Sequence, residues 1–194
     1  MIFVYQSFPS VGKFNVIFGD MGAKTLISPQ EYLAMRFEWE PEYVHGELRE
    51  RSMPDRVHGI IETRLGMLLD MLRKQHAVEA GSNIRCQLAP DVYRLPDVAL
   101  LAEEPYETVP TIPPIMVTEI LSRDDSMVDV EEKAAEYAAW GVKNIWLVNP
   151  WRRRLQVWEN DQFTSVSKLE LREFGWSCTI DELMEGIPAE ALKK

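Results

Sequence analysis

Residues 95–101 read Leu95-Pro96-Asp97-Val98-Ala99-Leu100-Leu101, one carboxylate at the head of a run whose other side chains are apolar. A short apolar run bounded by a proline predicts a buried strand. Residues 115–121 repeat the arrangement as Ile115-Met116-Val117-Thr118-Glu119-Ile120-Leu121, again with a single charge. The segment between them, Pro105-Tyr106-Glu107-Thr108-Val109-Pro110-Thr111-Ile112-Pro113-Pro114, is laden with prolines that cannot donate to a ladder. Two strands joined by a loop, each carrying one acid, form the unit around which the rest of the chain is arranged.

Upstream, Tyr93–Ala102 reads as the whole strand holding Asp97, and Asn83–Ala89 as the strand before it. Gly81 marks the return from a long helix that Asp55 caps, its stripe of Val57, Ile60, Ile61, Leu65, Leu68, Leu69 and Leu72 running to about residue 75. Tyr43–Glu50 alternates loosely and suggests one strand with an irregularity at Gly46. Ser28-Pro29-Gln30-Glu31 is a capping box opening a helix over about 29–37. Residues 1–25 show no clear period and hold a Gly-rich turn at Phe18–Gly22; they read as an extension to one domain over 26–194.

Downstream, Val130, Ala134, Tyr137 and Ala138 share one side of a helix over about 128–140, which Gly141 stops. Asn144–Val148 is a buried-type strand, and Arg154–Glu159 with Gln162–Ser167 predicts a hairpin around Asn160-Asp161. Thr179-Ile180-Asp181-Glu182 is a second capping box. The order is helix, three strands, helix, strand. It predicts an α/β fold in which a mixed sheet is flanked by helices, an αβββαβ core with extra C-terminal strands.

The 194 residues suffice for a sizeable core, and 46% hydrophobic with 27% charged residues is ordinary for a globular domain. A net charge of −10 counts against a large nucleic-acid footprint, though not against a local basic groove. Cys86 and Cys178 make neither a disulfide framework nor a zinc spacing, which suits a reducing, cytoplasmic compartment. No apolar run approaches the roughly 18 residues of a membrane helix, and the N-terminal stretch lacks the pattern of a signal peptide.

Carboxylates are seldom buried unpaired, because desolvation raises their pKa or demands a cation. Were adjacent strands to carry Asp97 and Glu119 on one face, the two could share a divalent ion, and oxygen ligands suit Mg²⁺ or Mn²⁺. For either acid alone, a turn residue or an arginine partner is the plainer account; the two together favour the metal. Lys133 borders the packed side of its helix and could reach toward Glu119, although its spacing from Asp129 also suits a solvated pair. His58 and Glu62 share a face near a helix start, where a neutral histidine could face a phosphate, or simply lie at the surface. Glu47, after Gly46, could be a third carboxylate or an ordinary strand residue. Arg152-Arg153-Arg154 beside Trp151 reads as a charged turn rather than a phosphate clamp.

Several segments, in this order and spacing, resemble the Uma-type (Uma-two) putative restriction endonucleases of the PD-(D/E)XK nuclease superfamily. They are Tyr43-Val44-His45-Gly46-Glu47-Leu48, His58, Leu95-Pro96-Asp97-Val98-Ala99-Leu100, Val117-Thr118-Glu119-Ile120-Leu121-Ser122, Asp129…Lys133…Tyr137…Gly141-Val142 and Ile145-Trp146-Leu147-Val148-Asn149-Pro150. The resemblance covers roughly residues 26–160. It implies a restriction-endonuclease-like fold, a homodimer, and a Mg²⁺-dependent site hydrolysing DNA phosphodiester bonds with water. By the same resemblance Asp97 and Glu119 are the metal-binding acids, while Glu47 and His58 occupy the family's N-terminal positions. The superfamily's lysine, expected two positions after Glu119, is replaced by Leu121, and Lys133 resembles a migrated substitute. The displaced lysine and the acidic charge favour an alternative, a non-catalytic homodimeric nuclease-fold regulator or scaffold. A narrow site acting on a small phosphoester is a third reading. The late tryptophans, from Trp140 to Trp176, could supply core or a dimer interface.

Overall fold

The computed structural model describes residues 26–193; the expected extension over 1–25, with its Gly-rich turn, lies outside the described residues. The central feature is a six-stranded sheet, in spatial order β10 (Gln162–Val166), β9 (Arg154–Glu159), β8 (Asn144–Asn149), β7 (Met116–Ile120), β6 (Val98–Ala102) and β3 (Val78–Ser82). Only β7 and β8 run parallel among these pairs, and helix α3 (Met127–Trp140) makes the crossover between them. Helix α2 (Arg56–Asp70) precedes β3, continuing as a short 3-10 segment over Met71–Lys74. The αβββαβ order is therefore α2, β3, β6, β7, α3, β8.

Strand alternation assigns the two helices to opposite faces. Val98, Leu100, Met116, Ile120, Trp146 and Val148 pack with Val57, Ile61, Leu65 and Leu69 of α2. The intervening residues Ala99, Val117 and Ile145 pack with Ala134 and Tyr137 of α3. A sheet buried on both faces needs apolar residues at nearly every position, which is why β7 and β8 read as continuous apolar runs.

A second, antiparallel sheet, β2-β1-β5-β4, comprises Glu47–Arg49, Glu42–Val44, Val92–Arg94 and Cys86–Ala89. It differs from the expected strands in three ways. The stretch Asn83–Ala89, expected as the first strand of the core, supplies β4 of this sheet, and β3 takes its place in the six-stranded one. The other two differences shape the site. Tyr43–Glu50 is a hairpin rather than one strand, because His45 (φ 50°) and Gly46 (φ 90°) turn the chain in two left-handed residues. Tyr93–Ala102 is also not one strand. Pro96 has no amide hydrogen, and the chain changes sheets there, β5 ending at Arg94 and β6 starting at Val98.

The capping box at Ser28 does form, but its helix α1 ends at Ala34, where Met35 turns to extended backbone. Strand β3 went unread because it lies at the edge of the sheet with only Val78 buried. A ribbon of β11 (Lys168–Leu171) and β12 (Trp176–Thr179) was likewise unread; its Trp176 stacks on buried Trp146 at 5.7 Å. The capping box at Thr179 opens α4 (Ile180–Leu183). Trp140, Trp146, Trp151, Trp158 and Trp176 all pack within the chain's own hydrophobic clusters. Among the described residues no helix is long and apolar enough to cross a membrane.

Candidate active site

Where the small sheet meets the end of β6 and β7, a cavity of about 460 Å³ opens, with Asp97, Glu119, Glu42, Lys133 and His58 in its wall. Asp97 immediately precedes β6. Since Val98 pairs with Thr118, extending the antiparallel register by one residue puts Asp97 opposite Glu119. Side chains opposite one another in such a pair lie on the same face, with Cβ atoms about 5 Å apart. Glu119 has the parity of Val117, so it points to the α3 side, and there α3 delivers two partners one turn apart. Tyr137 Oη donates to Glu119 Oε1 at 3.0 Å, and Lys133 Nζ lies 3.5 Å from Glu119 Oε2. The sheet switch at Pro96 is what allows one continuous segment to set Arg94 in one sheet and Asp97 beside the other.

Lys133 does not pair with Asp129. Its amine is 3.0 Å from Glu42 Oε1, on β1. Glu42 is almost fully buried and accepts from Arg94 Nη1 at 2.8 Å and from the Leu95 amide at 3.3 Å. Arg94 in turn forks onto Glu136 through Nε and Nη2 at 2.6 and 2.9 Å. This network ties the small sheet to α3. Asp97 is held from the other side: Oδ2 accepts from the Ile120 amide at 2.7 Å and faces His58 Nε2 at 3.5 Å, while Oδ1 accepts from Arg51 Nη2 at 2.8 Å. His58, buried rather than at the surface, also has Ser122 Oγ 3.2 Å from Nδ1 and Glu62 Oε2 3.7 Å from Nε2.

The electrostatics separate the two acids. Burial alone would raise both. At Asp97 it is outweighed by His58, Arg51 and the Ile120 amide, which hold the carboxyl below its usual range. At Glu119 burial prevails, with Lys133 opposing and Asp97 and Glu42 adding, and the carboxyl is pushed up to about 7. Burial works against the Lys133 ammonium, yet Glu119 and Glu42 more than compensate and keep it cationic. His58 follows the same balance, burial opposed by Asp97, Glu62 and Asp125, with its pKa raised.

Of the five expected site residues, Asp97, Glu119, Lys133 and His58 line this cavity and Glu47 does not. The hairpin register explains the exclusion. Glu47 pairs with Val44, two residues toward the turn from Glu42, so it lies on the same face but about 7 Å further along. Glu42 takes the place expected of Glu47. It and Arg94 went unread. Arg94 is a lone charge among apolar residues in Val92-Tyr93-Arg94-Leu95, the same signal that marks Asp97 and Glu119, whereas Glu42 follows Glu38 and Glu40 and carries no such mark. Arg153 of the arginine turn pairs with Asp181, away from this cavity.

The donor set fits a hard cation that keeps water in its shell. Asp97 and Glu119 offer carboxylate oxygens from opposing positions, and Mg²⁺ is commonly held by one or two carboxylates. Among the described residues no group of three or more His, Cys, Asp or Glu side chains is assembled to hold an ion, so the fit is to that two-carboxylate kind. Eight carboxylate residues and four Lys or Arg residues line the cavity, making its wall acidic.

Residues 29–188 match the family model described as Uma2, putative restriction endonuclease. A solved structure, a putative nuclease belonging to DUF820 from Anabaena variabilis ATCC 29413, is similar to this chain with a TM-score of 0.72 and 22% identity. The match covers 81% of this chain and 97% of that one, and at this identity it shows the fold. No curated protein matches the chain.

Proposed function

We propose, from the premise that this chain belongs to the Uma2 putative restriction endonuclease family, that it hydrolyses DNA phosphodiester bonds with Mg²⁺ or Mn²⁺ held by Asp97 and Glu119. The observation that carries this reading is the opposed placement of two buried carboxylates with the Lys133 amine 3.5 Å from one of them. A bound divalent cation would supply Lewis-acid polarisation of the phosphoryl oxygens and a lowered pKa for attacking water.

The chain's own groups would do the remaining work. Lys133, held cationic by Glu42 and Glu119, donates to an oxygen on which charge develops. Glu42 is then a positioning residue for that amine, and Arg94 fixes Glu42. His58, between Ser122 and Asp97, orients the Asp97 carboxylate together with the Ile120 amide. The homodimer is carried over from the family resemblance alone, since the late tryptophans serve the chain's own core.

The acidic wall favours a second reading. A net-negative cavity repels a duplex, whose affinity depends on phosphate neutralisation; a small phosphoester or a non-catalytic role suits it better. One assay set separates these. Wild type, Asp97→Ala and Lys133→Ala would be incubated with Mg²⁺ or Mn²⁺ on supercoiled plasmid, single-stranded DNA and bis(p-nitrophenyl) phosphate. Divalent-dependent nicking lost in both variants supports DNA cleavage. Turnover of the small diester without nicking supports the narrow-site reading, and inertness of wild type on all three supports the regulator or scaffold.

A further inference from the structure

Asp97 has one oxygen available to an incoming ligand, and an arginine holds it. Oδ2 is engaged by the Ile120 amide and faces His58, whereas the partner of Oδ1 is Arg51 Nη2 at 2.8 Å. Arg51 belongs to the segment 50–55, which has no regular secondary structure and joins β2 to α2. Glu50, Arg51 and Ser52, with His58 and Asp97, line both the cavity described above and a second one of about 760 Å³. The second cavity carries a more apolar wall, including Trp39, Met53 and Pro54.

Arg51 also provides charge that the carboxylates lack. Its side chain is 20% exposed, while that of Asp97 is 6% exposed. An arginine is always charged, so its guanidinium is a fixed cation set against one of the acids that would share a metal ion. A divalent ion and a guanidinium on one carboxylate oxygen repel each other, so binding of the first displaces the second. A guanidinium released on an irregular segment beside two cavities presents its donor fork to any phosphate entering either, and that geometry matches phosphate oxygens in pairs.

We infer that Arg51 is the built-in counter-cation of Asp97, exchanging that carboxylate for a substrate phosphate when a divalent cation takes Asp97 Oδ1. The inference rests on reading Asp97 as a cation ligand. It is tested on the full chain by Mn²⁺ binding, followed by electron paramagnetic resonance, in wild type, Arg51→Ala, Arg51→Gln and Asp97→Asn. Affinity for a short fluorescent DNA duplex in Ca²⁺ is measured alongside. Arg51→Gln keeps a hydrogen-bond donor toward Asp97 and guards against a fold lost in Arg51→Ala. Both Arg51 variants should bind Mn²⁺ about tenfold more tightly than wild type and DNA about tenfold more weakly, opposite movements that a merely structural role would not produce. Asp97→Asn should abolish Mn²⁺ binding. Equal Mn²⁺ affinity in wild type and both Arg51 variants, with Asp97→Asn still abolishing it, overturns the exchange and leaves the metal reading standing. Tighter Mn²⁺ with unchanged DNA affinity overturns the transfer to phosphate. Mn²⁺ binding that is absent, or indifferent to Asp97→Asn, overturns the metal reading and this inference with it.

Discussion

Lys133 sits between two buried carboxylates, 3.0 Å from Glu42 and 3.5 Å from Glu119. Removing it leaves Glu42 with Arg94 and leaves Glu119 with Tyr137, so Lys133→Ala should fold but lose about 3 kcal/mol of stability, the low end for removing one partner of a buried pair. Its divalent-dependent turnover, corrected for folded fraction by circular dichroism, should fall about a hundredfold, the usual cost of one lost donor at developing charge. Equal turnover in variant and wild type would remove Lys133 from the chemistry. The cysteines offer a second residue-scale expectation. Burial pushes both the Cys86 and Cys178 thiols up to about 12, so near pH 8 almost no thiolate forms in the native protein. Ellman's reagent should leave both thiols untouched under native conditions and titrate both after denaturation; rapid native reaction would contradict their burial.

At the scale of elements, the β1–β2 hairpin decides which glutamate reaches the cavity. Gly46 holds φ +90° at its turn, and a Cβ there would lie 2.9 Å from Leu26 Cβ. Gly46→Ala combines that contact with a left-handed penalty of roughly 1–2 kcal/mol, so the melting temperature should drop by several degrees. An unchanged melting temperature would show that the turn tolerates a side chain and does not set the register. The consequence reaches function, because a one-residue slip would turn Glu42 to the opposite face, away from Lys133. The switch at Pro96 is the other element-scale device, and it was legible only as a proline near an acid. Whether a proline interrupts a strand or moves it to a neighbouring sheet depends on what lies beside it.

For the whole molecule, the expectation of a homodimer stands on the resemblance, and light scattering at micromolar concentration should return about twice the chain mass; a monomeric mass would remove it. The order α2, β6, β7, α3, β8 was legible from the sequence because each of these elements carries a dense apolar pattern of its own period: the stripe from Val57 to Leu72, the runs at Val98 and Met116, and the α3 face ended by Gly141. Asp97 and Glu119 were legible for the same reason, as lone charges in runs that want burial. The elements that went unread, β3 at its exposed edge and the β11–β12 ribbon, are short and half-buried, so their apolar signal is thin. Local patterning thus determined the core and named the two acids, since burial leaves its period in the residues themselves. Only tertiary structure decided that Glu42 rather than Glu47 faces Lys133, that Arg94 holds Glu42, and that Arg51 rests on Asp97. These pairs join residues tens of positions apart through the register of one hairpin and a change of sheet, and long-range register leaves no mark in any one segment of the chain.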